Sequence, residues 1–370
     1  MKHDAWIREA LGLAQRGRGR VEPNPRVGAL AIQDGKIVGR GFHAYYGGPH
    51  AEVIALREAR EGGARPDTLV VTLEPCSSKP GEEGKKTPPC TEAIMDAGIE
   101  RVIIGTSDPD PRHSARGEEQ LVGHGIQVVT QVLDSECLAI NRPFLRWLAM
   151  DVPWVIAKWA MSVDGKTATR DGDSRWISCQ DSRNRVHELR SQVDAVLVGY
   201  RTAARDDPEL TVRHVEGPNP IRIVVDPLAA LATEQQLVQT AGDTPTWVLV
   251  GPEAPHDDVD RLVGRGVEVI RAPAGAGARS IDLGAACRGL RERGIRRLLL
   301  EGGGRLTGEF VAAGLVHQVM AFIAPLVLGG REAPTPVHGG GVAAVQDAWQ
   351  FTEFYAETSG ADVLVHGFAT

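Results

Sequence analysis

Aromatic residues make up only 5% of this 370-residue sequence, and there are just five cysteines. Basic residues are not in excess either: 41 Lys and Arg stand against 48 Asp and Glu, a formal net charge of −7. A protein that holds long nucleic acids needs a basic face interleaved with stacking aromatics, so the composition argues against that class. No apolar run approaches the ~18 residues that crossing a bilayer requires. The opening "MKHDAWIREALGLAQRG" reads as an amphipathic helix with acids inside it, without the apolar core and cleavage site of a secretion signal. An odd number of widely scattered cysteines forms no disulfide framework. The expectation is a cytoplasmic protein without a nucleic-acid or membrane partner.

What is present is an ordinary globular balance, 42% hydrophobic and 24% charged, with 43 Gly and 23 Pro to make tight turns. The length is comfortable for two domains. Strand-like runs at 27–33, 36–43, 68–75, 101–108 and 126–132 alternate with helical periodicity at 4–16, 50–61, 90–97 and 114–124. The first two runs are joined by "DG", a hairpin signal, and the rest imply parallel strands with helices on both faces. A single further helix is expected over 134–150. The α/β pattern then restarts, with a helix over 178–192 capped by Ser178, strands at 195–200, 221–226 and 246–250, and helices near 256–264 and 281–293. "RRLLLEGGGRL" (296–306) reads as a buried strand running through a glycine turn into a helix, and the chain ends in a hairpin. The expected domains are 1–148 and 149–370.

"GGPHAEVIAL" (47–56) starts a helix with His, Ala and Glu where a purely packing helix would carry Ser, Thr, Asp or Asn. Cys76 follows Pro75 at the end of a buried strand, and Cys90 opens the next helix behind Pro88-Pro89, with Thr87 as its expected cap. In an open α/β sheet, strand C-termini and helix N-termini converge where ligands bind. One imidazole and two thiolates there make three soft ligands, the number a catalytic zinc needs while keeping one position open. His50, Cys76 and Cys90 are therefore the candidate ligands of one zinc per chain. Glu52 is the candidate acid–base, taking a proton from an activated water and passing it to a leaving group. This H-x-E…P-C…C constellation is that of zinc deaminases.

Together with "PNPRVGAL" (23–30), "KTPPCTEAI" (86–94) and "SDPDP" (107–111), these segments resemble the RibD family, bifunctional enzymes of riboflavin biosynthesis. "KWAMSVDGKTA" (158–168), "DSRWIS" (173–178), "DDPELTVR" (206–213) and "EGGGRL" (301–306) carry the resemblance through the second half. It implies a cytidine-deaminase-like three-layer α/β/α domain followed by a dihydrofolate-reductase-like α/β domain. The implied first step is hydrolytic deamination of 2,5-diamino-6-ribosylamino-4(3H)-pyrimidinone 5′-phosphate, and the second is NADPH-dependent reduction of the product's ribose to a ribityl chain. Asn24, His43, Lys86 and Asp108 match family positions that line the deaminase pocket. Lys158, Ser174, Arg190, Leu210, Arg213 and Glu301 match reductase substrate positions, and Ala160, Trp176, Thr202, Asp206 and Gly303 match cofactor positions. The implied ligands are a small pyrimidine ribose phosphate, zinc and NADPH, and a homo-oligomer is expected.

Plainer readings stand beside these: Asn24 as a turn residue, Asp108 as a strand-end cap, Arg190 as a solvated helix face, Trp176 as core. Glycines 302–304 would free backbone N–H groups for a cofactor phosphate, or merely start a tightly packed helix. The sequence also departs from the family pattern Pro-Cys-Ser-His-x-Gly-[Arg/Lys]-Thr-Pro-Pro-Cys. Thirteen residues separate Cys76 from Cys90 instead of eight, Ser78 stands at the histidine, and Asp110 replaces the Asn of Asp-Pro-Asn-Pro. The polar segment "SSKPGEEGKK" (77–86) is expected to form a lid-like excursion with a mobile tip. Two rival readings remain open: a paralogue with another aminopyrimidine substrate or a lapsed deaminase site, and a nucleic-acid module on the deaminase fold.

Overall fold

The computed structural model describes residues 2–78, 87–277 and 279–369. Lys86 and most of the 77–86 segment lie outside the described residues. The chain divides into two compact units, Met1–Met150 and Asp151–Thr370. Among the described residues no helix is long and apolar enough to cross a membrane.

In the first unit, β1 (Gly28–Gln33) and β2 (Lys36–Phe42) form the hairpin around Asp34-Gly35, followed by β3 (Thr68–Leu73), β4 (Arg101–Thr106) and β5 (Gln127–Val129). The order across the sheet is β2-β1-β3-β4-β5, antiparallel among the first three and parallel among the last three. The helices are α1 (Lys2–Ala14), α2 (Ala51–Glu61), α3 (Cys90–Asp96), α4 (Arg116–Gly123), α5 (Asp134–Ala139) and α6 (Arg142–Leu148). Strand side chains alternate faces, and β1 shows the consequence. Ala29 and Ala31 join a core with Ala51, Ala55, Ile94 and Leu121 from α2, α3 and α4, whereas Leu30 and Ile32 join Ile7, Ala10 and Cys137 on the other face. Each fully buried large aliphatic side chain contributes roughly 1.5–3 kcal/mol.

Glycines bring α2 down onto the hairpin. A Cβ on Gly41 would fall within clash distance of the Ala51 carbonyl, and one on Gly39 would do the same at Ala55. The helix start, and His50 with it, is thereby fixed against β2. The helix expected over 134–150 is two helices, because Pro143 has no N–H to continue the first. Between them the Asn141 side chain accepts the Arg26 N–H (2.7 Å) and donates to the carbonyls of Arg26 (3.2 Å) and Cys137 (3.3 Å).

The second unit holds β6 (Trp154–Ser162), β7 (Ala195–Gly199), β8 (Ile221–Val225), β9 (Thr246–Val250), β10 (Glu268–Arg271), β11 (Arg297–Leu300), β12 (Gln318–Ala324), β13 (Phe351–Ser359) and β14 (Asp362–Ala369). They form one sheet in the order β10-β9-β8-β7-β11-β6-β12-β14-β13. β14 is antiparallel to β12 and pairs β13 as the expected closing hairpin, and the remaining pairs are parallel. Its helices are α7 (Gln180–Ser191), α8 (Tyr200–Asp206), α9 (Gln236–Gln239), α10 (His256–Val263), α11 (Leu283–Glu292) and α12 (Gly304–Ala312). Ser178 does not cap α7. The capping position is Cys179, whose N–H is held by Asp362 Oδ2 at 2.9 Å, so a residue of the distant hairpin takes the place of a local cap.

Candidate active sites

In the first unit the ends of three elements deliver three donors. His50 sits in extended backbone immediately before α2, Cys76 follows β3, and Cys90 is the first residue of α3. His50 Nδ1 lies 3.5 Å from Cys76 Sγ and 3.3 Å from Cys90 Sγ, and the three ligand atoms fall within 4.8 Å of one another. They are the one such group among the described residues. The other imidazole nitrogen, Nε2, is 3.2 Å from Thr87 Oγ1, so the ring is oriented from behind, as metal-binding histidines generally are. This corrects the expectation for Thr87: the capping position of α3 is Pro89, with no side-chain cap, and the threonine hydroxyl faces His50. The Cys90 N–H at the helix start points to Cys76 Sγ (3.4 Å), an arrangement that favours a thiolate.

Glu52 lies in the first turn of α2 and is buried, with no partner for Oε2 among the described residues. Burial raises its carboxyl above the usual range, against a lowering pull from His50. His43, buried just after β2, meets the His50 ring edge-on at 5.3 Å and has Nδ1 on the Pro49 carbonyl at 3.0 Å. Asn24 is half-buried in the loop before β1, its N–H on the Val21 carbonyl. Asp108 follows β4, and burial pushes its carboxyl up to about 6.

Glu74 is a site residue that the sequence reading missed. Buried between β3 and Cys76, its carboxylate accepts the N–H groups of Asp108 (3.0 Å), Ala115 (3.1 Å), Gly117 (2.9 Å) and Glu118 (3.3 Å). One carboxylate thus ties the base of the metal-binding strand end to the 107–115 loop and the start of α4. Its signal was a glutamate directly continuing a strand buried along its whole length.

In the second unit, strand order assembles a cluster of charges. Leu300 of β11 pairs Ala157 of β6, so the next residues, Glu301 and Lys158, come side by side, with Nζ 3.7 Å from Oε2. From α7, Arg190 makes a two-pronged contact with Glu301 (Nε to Oε1 2.7 Å, Nη2 to Oε2 3.0 Å) and donates to the Thr211 carbonyl at 3.1 Å. Burial alone would raise the Glu301 carboxyl, but Arg190 and Lys158 overrule it and hold the carboxyl at about 2. Burial pulls the Lys158 ammonium below its ordinary value, opposed by Glu301. Arg190 is therefore not a solvated helix face.

Arg213 is exposed and paired to Glu209 at 2.8 Å, while its backbone N–H is accepted by His187 Nδ1 at 3.2 Å. Leu210 is buried in left-handed backbone, φ 54°. Thr202, in α8, accepts the Gly303 N–H at 3.2 Å, and Gly303 immediately precedes α12, so two cofactor candidates share a hydrogen bond. Trp176 is 69% exposed with the Arg183 guanidinium 4.8 Å over its ring, which excludes the core reading. Ser174 is exposed in the same loop, and Arg175 ties that loop to the Asp206 carbonyl at 3.3 Å. Ala160 is half-buried two residues beyond Lys158 on β6.

Comparison with known proteins places both units. The zinc-binding region of cytidine and deoxycytidylate deaminases matches residues 1–106, and the RibD C-terminal domain matches 153–365. A riboflavin biosynthesis protein RibD of Aquifex aeolicus is 36% identical over 97% of this chain and 96% of its own, and that of Escherichia coli 35% identical over 99% of each. The chain belongs to the RibD family. A crystallised RibD of Acinetobacter baumannii superposes with a TM-score of 0.71 at 28% identity, over 100% of this chain and 99% of that one. A Thermotoga maritima diaminohydroxyphosphoribosylaminopyrimidine deaminase/5-amino-6-(5-phosphoribosylamino)uracil reductase does so at 0.69 and 34% identity, with the same coverage. Membership makes this a bifunctional deaminase and reductase of riboflavin biosynthesis, with a cytidine-deaminase-like first unit that uses zinc and a RibD reductase second unit that uses NADPH.

Proposed function

We propose the following division of roles within the family's two-step reaction. His50, Cys76 and Cys90 hold the zinc, which supplies Lewis-acid activation of water. Glu52 takes the proton of the attacking water at Oε2, which has no partner among the described residues, and returns it to the departing amine nitrogen, so that ammonia leaves and the ring carbon keeps oxygen. His43 and Asp108 border the pyrimidine and Asn24 completes the pocket, while Lys86 is assigned to the substrate by its family position alone. The observation that carries this reading is the convergence of one imidazole nitrogen and two thiol sulfurs on a single point beside a buried carboxylate.

In the second unit NADPH supplies a hydride to the ribose carbon bonded to nitrogen. As the ring C–O bond breaks, the ring oxygen needs a proton, and Lys158 Nζ delivers it. Glu301, itself held by Arg190, fixes Lys158, and Arg190 with Arg213 receives the sugar phosphate end, together with Ser174 and Leu210. Thr202, Gly303, Trp176, Asp206 and Ala160 form the cofactor side, supported by the Thr202–Gly303 bond and the exposure of Trp176. The acidic composition supports a cytoplasmic setting and small-molecule partners, and we take the working form to be a homo-oligomer.

The test is incubation of the zinc-loaded chain with the diaminopyrimidine ribose phosphate, with and without NADPH, followed by mass analysis. The expected products are the deaminated uracil without NADPH and its ribityl derivative with it. Absence of ammonia release, or reduction without deamination, would favour the paralogue reading.

A further inference from the structure

The two residues at which the deaminase site departs from the family pattern, Ser78 and Asp110, are far apart in sequence yet are joined by one side chain. Ser78 Oγ lies 3.1 Å from His113 Nδ1, and His113 Nε2 lies 3.8 Å from Asp110 Oδ2. Ser78 and Asp110 are 9% and 3% exposed. Arg112 grips both oxygens of Asp110 (Nε to Oδ1 2.9 Å, Nη2 to Oδ2 2.5 Å) and holds that carboxyl below the usual range. An anion facing Nε2 favours the tautomer that carries hydrogen there, which leaves Nδ1 to accept from the Ser78 hydroxyl. The Asp110 N–H in turn donates to Asp108 Oδ1 at 2.9 Å. An unbroken line of contacts therefore runs from the segment just past Cys76, through His113, to Asp108.

We propose that His113 is a positioning residue of the deaminase, supplying from the 107–115 loop the imidazole that the family pattern carries at position 78. The inference rests on the deaminase reading above and deepens it. A serine hydroxyl is too short to bridge two loops unaided, and an imidazole on the facing loop closes the gap. Aspartate at 110 serves that bridge better than asparagine would, because a carboxylate only accepts and also neutralises Arg112. The two departures then form one compensated arrangement and not two separate losses. Glu74 anchors the base of the same loop through backbone amides, while His113 anchors its tip.

The experiment measures KM and kcat for ammonia release by the zinc-loaded full chain, with zinc content and NADPH-dependent reductase rate as checks on folding. His113→Ala is expected to raise KM about tenfold with kcat changed less than about threefold, the size of one lost hydrogen-bonded contact. Adding Ser78→His to His113→Ala returns the imidazole to the other loop and is expected to bring KM back to within about threefold of wild type. An unchanged KM in His113→Ala overturns the proposal. So does a double variant no better than His113→Ala, and so does loss of zinc in His113→Ala that Ser78→His fails to relieve, which would make the residue merely structural. A wild-type chain that releases no ammonia overturns the deaminase reading itself, a result distinct from an active wild type indifferent to His113.

Discussion

His50, Cys76 and Cys90 meet because the ends of a helix, a strand and a second helix converge, whereas Lys158, Arg190 and Glu301 meet because β11 lies beside β6 with α7 packed nearby. The first arrangement sets an imidazole nitrogen and two sulfurs to hold a cation, beside a carboxylate oxygen that has no partner among the described residues. The second already holds its own counter-charge, one anion shared between two cations. A site that needs an external ion to complete it should fail by losing that ion. A site that holds its own counter-charges should fail by losing its fold along with its chemistry.

The largest expected effect follows for the metal donors. Cys76→Ser or Cys90→Ser should remove zinc and reduce deamination to background, while the second unit still reduces supplied deaminated intermediate. Metal analysis with separate assays of the two steps checks this, and full zinc in either variant would break the comparison. Glu52→Gln comes next. It should keep zinc and lose ~10²–10⁴ of the deamination rate, because an amide cannot carry the proton. A variant that deaminates at the wild-type rate would remove Glu52 from the chemistry.

Glu301→Gln probes the cluster that carries its own counter-charge. Removing one partner of a buried charge group costs about 3–5 kcal/mol, because the charge left behind is desolvated without compensation. The thermal midpoint of the second unit should therefore drop by roughly 10 °C, at about 2–4 °C per kcal/mol for a unit of this size. Reduction should fall by ~10²-fold as Lys158 and Arg190 lose their common anchor. Calorimetry alongside the reductase assay checks this. A midpoint within a degree or two of wild type would place Glu301 in a hydrated setting and end the contrast with the metal site.

The same contrast explains what could be seen in the sequence. Donors at element ends are flanked by residues that punctuate the chain, such as Gly47-Gly48-Pro49 before His50, Pro75 before Cys76 and Pro88-Pro89 before Cys90, so type and place could be read together. Thr87 and Ser178 misled because a hydroxyl before a helix suggests a cap, while in the fold Thr87 bonds His50 and Asp362 reaches Cys179 from the closing hairpin. Pro143 should have divided the helix over 134–150 on chemistry alone. The apolar run of β12 was not assigned, and with it went the sheet order around β6. The adjacency of Lys158 and Glu301 depends on that order, which no local spacing encodes. The resemblance named these residues, but the ion pairs that join them became visible only in the fold. Glu74 escaped for a similar reason, since its partners are backbone groups of a loop far along the chain.

The smallest effect is a difference in sign between the two units on acidification. Asp108 has its carboxyl raised from 3.8 to about 6 by burial, so the folded first unit takes up a proton near pH 6 that the unfolded chain takes up only near 3.8. Between those values acid favours the folded form. His187 is the opposite case. Burial, with Arg190, His214 and Arg213 nearby, lowers it from 6.5 to about 4, so the unfolded chain gains the proton first and the folded second unit loses stability as pH falls from 6.5 towards 4. Charging His187 at Nδ1 would also cost the bond it accepts from the Arg213 N–H. From pH 7 to pH 5 each change amounts to about 1 kcal/mol, reduced from the full shift because neither group is wholly shielded. Asp108→Asn and His187→Asn isolate them. Relative to wild type, Asp108→Asn should lose stability at pH 5 compared with pH 7, and His187→Asn should gain it, each by about 2–4 °C in the midpoint of its own unit. Proton competition for His50 and the two thiolates is common to wild type and variant and cancels from these differences. Differences that do not vary with pH would show that both side chains titrate as they do in water, and the two units would then respond to acid alike.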